Sequence, residues 1–187
     1  MLASGNPEEA VTYFATQLER DPENISHQRG LARSLVRSGR LADAIPAWRK
    51  VTQNPASTLD DKVMLADAHM RANDWGAAES VLNTIPPTHE TFDRYRLEAM
   101  IADSKKEWRK ADQFYETAAG LTTQPSAVFN NWGFSKLTRG APREAEKLFT
   151  QALQYDPQLF TAKTNMALAR AAQGNYSLPL VQMTQQE

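Results

Sequence analysis

The stretch WGFSKLTRGAPREAEKLFTQALQYDP, residues 132–157, decides the fold of this chain. Its first half carries a small residue, Gly133, and its second half places Ala145 and Phe149 four residues apart. Residues with this spacing lie on one face of an α-helix. Between the halves lies Gly140, and glycine tolerates the left-handed backbone that ends a helix. The stretch therefore predicts two helices joined by a tight turn.

The same pattern recurs along the chain at a nearly constant period. The alanine of the second helix recurs at Ala10, Ala44, Ala78, Ala111 and Ala145. Each is followed four residues later by a large apolar side chain: Phe14, Trp48, Leu82, Tyr115 and Phe149. The first helix carries a parallel series of small residues: Ala32, Ala66, Ala99, Gly133 and Ala167. A single helix pair cannot cover its own apolar face, so this repetition predicts stacked pairs with a shared core.

The period predicts the bounds of the helices. Complete pairs are expected at 26–38 and 41–53, 59–72 and 75–84, 91–104 and 108–120, and 126–139 and 142–155. A second helix alone, 7–20, precedes them, and a first helix alone, 159–173, follows. The turn positions within pairs are occupied by Gly39, Asn73, Lys106 and Gly140. Lysine fits a left-handed backbone poorly, so we allow for a different turn at Lys106.

The repeat predicts a domain over residues 1–176, followed by a different segment at 177–187. Residues 177–183 indicate an extended segment, and 184–187 have the spacing of a capping box that starts another helix. At the other end, Gly5 occupies a turn position. We therefore expect the sequence to be a piece of a longer protein.

This pattern resembles the tetratricopeptide repeat (TPR) family over about residues 1–176. The unit that matches the family best contains Trp132-Gly133, Ala145, Phe149, Ala152 and Pro157. The resemblance implies an all-α fold, an α-solenoid in which antiparallel helix pairs stack into a right-handed superhelix. About five repeats are expected, with partial units at both ends.

The resemblance also implies a concave groove, lined by the first helix of each pair, that binds a peptide or helix of a partner protein. The family's inward-facing positions include Arg29, Arg33, Arg37, Met64, Asp67, Met70, Arg96, Met100, Asn130, Asn131, Phe134, Asn165 and Leu168. Methionine and aromatic side chains suit the apolar side of a peptide. Asparagine amides can donate to and accept from a peptide backbone. The predicted function is a protein–protein interaction scaffold.

Composition and motifs argue against several other functions. The 21 basic and 22 acidic residues nearly balance, which disfavours nucleic acid as the partner. No apolar run approaches the roughly 20 residues of a membrane span. The chain has no cysteine, and His27, His69 and His89 do not converge with carboxylates at ligand spacing. We therefore expect no catalytic residue, no metal site and no cofactor, and we predict that the protein is not an enzyme.

A narrower resemblance concerns the stretches at 130–134, 143–149 and 175–184. These stretches are similar to TadD-type TPR lipoproteins of tight-adherence (Flp) pilus assembly systems, although the lipid-bearing cysteine of such proteins is absent here. This resemblance implies an assembly factor for a bacterial pilus or secretion machine. It would be located in the periplasm or at the outer membrane, with an outer-membrane secretin or a pilus component as partner. Two alternatives remain: a cytoplasmic regulatory adaptor, and the substrate-recognition segment of a larger enzyme.

Overall fold

A computed structural model describes residues 6–175, and all regular structure in this range is α-helical. The helices are α1 Pro7–Arg20, α2 Ile25–Arg37, α3 Leu41–Gln53, α4 Leu59–Arg71, α5 Trp75–Leu82, α6 Phe92–Ser104, α7 Trp108–Gly120, α8 Ser126–Thr138, α9 Pro142–Tyr155 and α10 Phe160–Ala171. Every predicted helix is present, with each end within two residues of its predicted position. The predicted fold class, an all-α solenoid of TPR type, is confirmed. The segment predicted at 177–187 and the turn predicted at Gly5 lie outside the described residues.

The helices form two compact units. Unit 1 ends at Glu90 and contains α1 to α5, and unit 2 begins at Thr91 and contains α6 to α10. In unit 1 the core gathers around Trp48, which is 1% exposed. In unit 2 one cluster surrounds Tyr115 and another surrounds Phe149. Each of these large side chains belongs to the series that follows a repeated alanine by four residues.

The repeated small residues are buried because they mark close approaches between helices. Ala44, Ala78, Ala111 and Ala145 have no exposed surface. At Gly133 the approach is closer still, since a Cβ atom built there would lie 2.6 Å from the Phe149 ring. The alanine register of the sequence therefore marks helix contacts, as expected from the need of packed interiors for small residues at close crossings.

The hairpin turns share one geometry in the part of the chain that the structure describes. Each has a residue with φ between 60° and 80°, at Gly39, Asn73, Lys106, Gly140 and Gly174. At Lys106 the backbone N–H donates to the Asp103 carbonyl at 2.9 Å, and the next N–H donates to the Ala102 carbonyl at 2.9 Å. The other four turns repeat both bonds at equivalent positions. The expectation of a different turn at Lys106 is therefore wrong. Two backbone hydrogen bonds hold the lysine in the left-handed conformation that glycine adopts in the equivalent turns.

Candidate functional site

The thirteen residues predicted to line the groove divide between the two units. Six lie in unit 1, on α2 and α4, and seven lie in unit 2, on α6, α8 and α10. All of them are on the first helix of a pair, as the prediction requires. The two sets differ in what their side chains contact.

Arg29 in unit 1 forms an internal ion pair. Its Nε and Nη2 atoms donate to the two carboxylate oxygens of Asp61 at 2.8 Å and 2.7 Å. Asp61 is 3% exposed and also accepts from the Thr58 backbone N–H at 2.8 Å, within the capping box that starts α4. Burial opposes ionisation of Asp61, but the hydrogen bonds from Arg29 and Thr58 outweigh it and lower its pKa. Arg29 thus ties α2 to the first turn of α4.

The other predicted residues of unit 1 offer little apolar surface. Met70 is 7% exposed, so the expectation that its side chain adds apolar surface to the groove is wrong. Met64 is half-buried and packs against the cluster around Trp48. Asp67 accepts from Arg71 at 2.5 Å. The remaining two, Arg33 and Arg37, are exposed on α2.

In unit 2 three asparagine side chains form a hydrogen-bonded ladder across two helices. Asn165 Nδ2 on α10 donates to Asn130 Oδ1 on α8 at 3.0 Å. Asn130 Nδ2 is 3.4 Å from Asn131 Oδ1. Asn131 and Asn165 have the same repeat position, 34 residues apart, and Asn130 lies between them in the chain of hydrogen bonds. All three residues are half-buried, so the ladder has one side toward solvent.

Beside this ladder lie two exposed apolar side chains. Phe134 on α8 is 49% exposed, and Leu168 on α10 is 53% exposed. They occupy the same repeat position on helices that pack against each other. We refer to Asn130, Asn131, Phe134, Asn165 and Leu168 as the α8–α10 face.

The two predicted residues on α6 are engaged within unit 2. Met100 has the same repeat position as Phe134 and packs against the cluster around Tyr115. Arg96 Nη2 lies 3.3 Å from Asp93 Oδ1. Neither residue repeats the combination of exposed apolar surface and amide groups on α8 and α10.

The charged side chains of α8 and α10 are bonded away from the α8–α10 face. These helices contain three charged residues, Lys136, Lys163 and Arg170. Lys136 Nζ contacts the carboxylates of Asp112 at 3.0 Å and Glu144 at 2.8 Å. Arg170 Nε donates to a carboxylate on α9 at 2.7 Å, and Lys163 Nζ donates to a glutamine amide at 3.2 Å. The α8–α10 face itself carries no ionisable group.

A polar cluster around Asp112 was not anticipated from the sequence. Trp132 Nε1 donates to Asp112 Oδ1 at 2.6 Å, and Arg139 makes a short ion pair with the same carboxylate. Burial opposes ionisation of Asp112, but hydrogen bonds from Arg139 and Trp132 outweigh it, so the pKa of Asp112 is lowered. The partners lie 20 to 27 residues from Asp112, a spacing that no local helical pattern links. The cluster joins α7 to α8 and leaves the carboxylate satisfied.

The three histidines belong to unit 1, whereas the α8–α10 face belongs to unit 2. His69 is 7% exposed, with Nδ1 3.5 Å from Asp74, and His89 Nε2 lies 2.8 Å from Asp60. Across residues 6–175, no group of three or more His, Cys, Asp or Glu side chains is arranged to hold a metal ion. A search of the same residues finds no helix with the length and apolarity of a membrane span.

Comparison with known proteins supports one family. The tetratricopeptide repeat family profile matches residues 2–57, a range that includes α1 to α3. No curated protein shows significant sequence similarity to the chain.

Three solved structures illustrate the likeness in fold. A chain of the APC/C hetero-tetramer Cut9–Hcn1 has a TM-score of 0.82 at 19% identity, over 90% of this chain and 34% of that chain. YrrB, a TPR protein with an unusual peptide-binding site, has a TM-score of 0.61 at 15% identity, over 83% and 81%. PilW, a type IV pilus biogenesis factor, has a TM-score of 0.76 at 13% identity, over 90% and 79%.

At these identities the solved structures establish the fold alone, and the chain spans about a third of the Cut9–Hcn1 chain that it matches. The profile match of residues 2–57 and the repeated helix pairs of both units make this chain similar to tetratricopeptide repeat proteins in sequence over that range and in fold.

Proposed function

We propose that this protein is a non-catalytic interaction scaffold that binds a peptide segment or helix of a partner protein on the α8–α10 face. One observation carries the proposal: Phe134 and Leu168 expose about half of their side chains at the same repeat position of two packed helices. The asparagine ladder lies one turn away on the same helices.

The exposure of Phe134 and Leu168 is informative because the two apolar side chains lie on adjacent helices and are flanked by hydrogen-bonding groups. Single exposed apolar residues are common and need no explanation, whereas apolar groups rimmed by polar ones mark interaction sites. Interface energy concentrates in a few anchors, and aromatic side chains are frequent among them. The peptide-binding site named for YrrB gives a precedent for such a use of this fold.

The proposal is tested by comparing two variants at equivalent repeat positions. Phe134→Ala removes the aromatic anchor from unit 2, and Arg33→Ala changes the same position in unit 1. Wild type and both variants would be used to capture partners from a lysate of the native organism, and the affinity would be measured with the purified partner. We expect Phe134→Ala to weaken binding by about 1–3 kcal/mol, with full binding by Arg33→Ala.

Thermal melting of the same proteins separates binding from folding. Phe134 is half exposed, so its truncation should leave the melting temperature nearly unchanged. A partner that binds Phe134→Ala and Leu168→Ala as tightly as wild type would overturn the assignment of the site.

We further propose that the scaffold serves the assembly of a bacterial pilus or secretion machine. The support is the similarity of residues 130–134 and 143–149 to TadD-type proteins, together with the fold that the chain shares with PilW. Deletion of the gene should abolish pili or secretion, and wild type but not Phe134→Ala should restore them. Normal piliation and secretion in the deletion strain would refute this role and leave the scaffold proposal standing.

A further inference from the structure

We infer that the α8–α10 face recognises an uncharged, extended segment of its partner, through backbone hydrogen bonds to Asn131 and Asn165 and apolar contacts to Phe134 and Leu168. This inference rests on the proposed function and specifies the chemistry of the partner.

Within residues 6–175, the asparagine ladder leaves some of its side-chain donors and acceptors without a partner. The chain of bonds runs from Asn165 Nδ2 to Asn130 and from Asn130 Nδ2 to Asn131 Oδ1. Among the described residues, these bonds leave the Asn165 carbonyl available to accept and the Asn131 amide N–H groups available to donate. The ladder thus presents an acceptor on α10 and a donor on α8.

This pair of groups matches an extended backbone rather than a helix. An extended segment that crosses from α10 to α8 presents free N–H and C=O groups, which can donate to Asn165 and accept from Asn131. An α-helix uses its N–H and C=O groups internally along its length, so its backbone, away from the helix ends, could not bond the half-buried amides. Amides that lose water without a new partner would cost binding energy.

The α8–α10 face offers no charged group to a charged partner. The charged residues of α8 and α10 are bonded elsewhere: Lys136 to two carboxylates, Arg170 to Glu146, and Lys163 to the neutral side-chain amide of Gln158. A charged side chain placed over Phe134 and Leu168 would therefore lose hydration without gaining an opposite charge. Electrostatic complementarity favours a segment without Asp, Glu, Lys or Arg at the positions that contact this face.

The distance between Phe134 and Leu168 limits the spacing of apolar residues in the partner segment. Phe134 and Leu168 lie on helices that pack together, and packed helix axes are roughly 8–10 Å apart. An extended chain covers that distance in about three residues. Because successive side chains of an extended chain alternate faces, the two apolar side chains of the partner segment that contact this face should lie two positions apart, at i and i+2.

The experiment is a selection of random peptides displayed on phage against the full chain, with Phe134→Ala as the counter-selection. Selected sequences would be synthesised with acetylated and amidated ends so that no terminal charge contributes. We expect uncharged sequences with paired apolar residues. Their affinity should change less than about twofold between 0.05 and 0.5 M salt, because screening acts on charge pairs.

A backbone test distinguishes an extended ligand from a helical one. Methylation of a single central amide nitrogen of the peptide should weaken binding to wild type about tenfold, the loss of one interface hydrogen bond. The same methylation should have little effect on binding to Asn165→Ala, which lacks the acceptor. The matched control is Thr150→Ala on α9, which should behave like wild type.

The outcomes separate the two proposals. Peptides that require Phe134 but are charged and salt-sensitive, or that bind as helices and tolerate amide methylation, would overturn this inference and support the proposed function. If the selection yields no peptide whose binding depends on both Phe134 and Leu168, both proposals fail. Circular dichroism and melting of each variant would confirm that the compared proteins are folded.

Discussion

Units 1 and 2 use one repeat position in opposite ways. The position that carries Met100, Phe134 and Leu168 in unit 2 carries Arg33 and Asp67 in unit 1. The backbone is the same in each case, because buried alanines and a shared turn geometry set the helix pairs. The repeat therefore determines where these side chains project and leaves their chemistry free to vary.

A second repeat position also carries different side chains in the two units, with different roles. Arg29 in unit 1 and Asn130 in unit 2 are equivalent in the repeat. Arg29 bonds both carboxylate oxygens of Asp61 and holds α2 to α4. Asn130 bonds Asn165 and leaves amide groups open beside exposed apolar side chains. This polar position joins two helices in unit 1, and in unit 2 it bonds Asn165 and Asn131, the residues that we propose bind a partner.

The largest effect that would test this contrast is expected from Arg29→Met. The substitution keeps much of the side-chain volume but leaves the buried Asp61 carboxylate without its cation. We expect the free energy of unfolding to fall by about 2–4 kcal/mol, measured by chemical denaturation. Arg33→Met, one turn along α2 and exposed, is the control and should change stability by about 0.5 kcal/mol or less.

If Arg29→Met were no more destabilising than Arg33→Met, the two units would not differ in the role of this position. The ion pair would then be dispensable, and unit 1 would have charged groups free for a partner. Asn130→Ala in unit 2 should affect binding more than stability. We expect a small loss of unfolding free energy and a clear loss of peptide affinity.

A somewhat smaller effect should be common to both units. Ala78 in unit 1 and Ala145 in unit 2 have the same repeat position and no exposed surface. Replacing either by leucine forces packed helices apart and should cost about 1–3 kcal/mol. Ala42→Leu on the exposed side of α3 serves as the control. A difference of several-fold between Ala78→Leu and Ala145→Leu in their unfolding free energies would show that the two units do not share one packing rule.

Acid should remove part of the contribution of Asp61. Its pKa is lowered in the folded state, so its ionised form stabilises the fold above the unfolded pKa of about 3.9. That contribution is lost as the pH falls through 3.9 toward the lower folded pKa. The difference in unfolding free energy between wild type and Asp61→Asn should therefore be constant from neutral pH to about 4 and shrink below it. The exposed Asp43→Asn is the control, and a difference that persists unchanged in strong acid would exclude ionisation as its source.

The fold was predictable from the sequence because its determinants are local or periodic. Helix bounds follow from residues three, four and seven apart, and the pairing follows from the repeat period. Even α5, whose predicted end at 84 lies two residues beyond Leu82, fails only at its last turn. The buried alanines identify the same contacts that the structure contains.

The site was less predictable because side-chain partners depend on distant residues. Nothing in the spacing of Arg29 and Asp61, 32 residues apart, distinguishes an ion pair from two solvated charges. Family positions placed Met70 in the groove, where the structure buries it. Likewise, only the structure showed that Asn165 bonds Asn130 rather than Asn131. Repeat position predicts the direction of a side chain, and its neighbours decide whether it is available.

The smallest expected effect concerns the turn that both units share. Lys106 has φ of 60°, a conformation that costs a residue with a Cβ atom about 1–2 kcal/mol and costs glycine little. The turn bonds to the Asp103 and Ala102 carbonyls do not involve the side chain. Lys106→Gly should therefore stabilise unit 2 by about 0.5–1 kcal/mol, after the greater entropy of unfolded glycine is subtracted.

The control is Lys105→Gly, because Lys105 has φ of -89° and glycine relieves no strain there. That variant should be neutral or destabilised. Asn73→Gly, at the same turn position in unit 1, should gain less, since asparagine tolerates the left-handed region better than lysine. If Lys106→Gly melted no higher than Lys105→Gly, the positive φ of Lys106 would carry no energetic cost. The five turns would then have the same hydrogen bonds, but the lysine turn would not be strained.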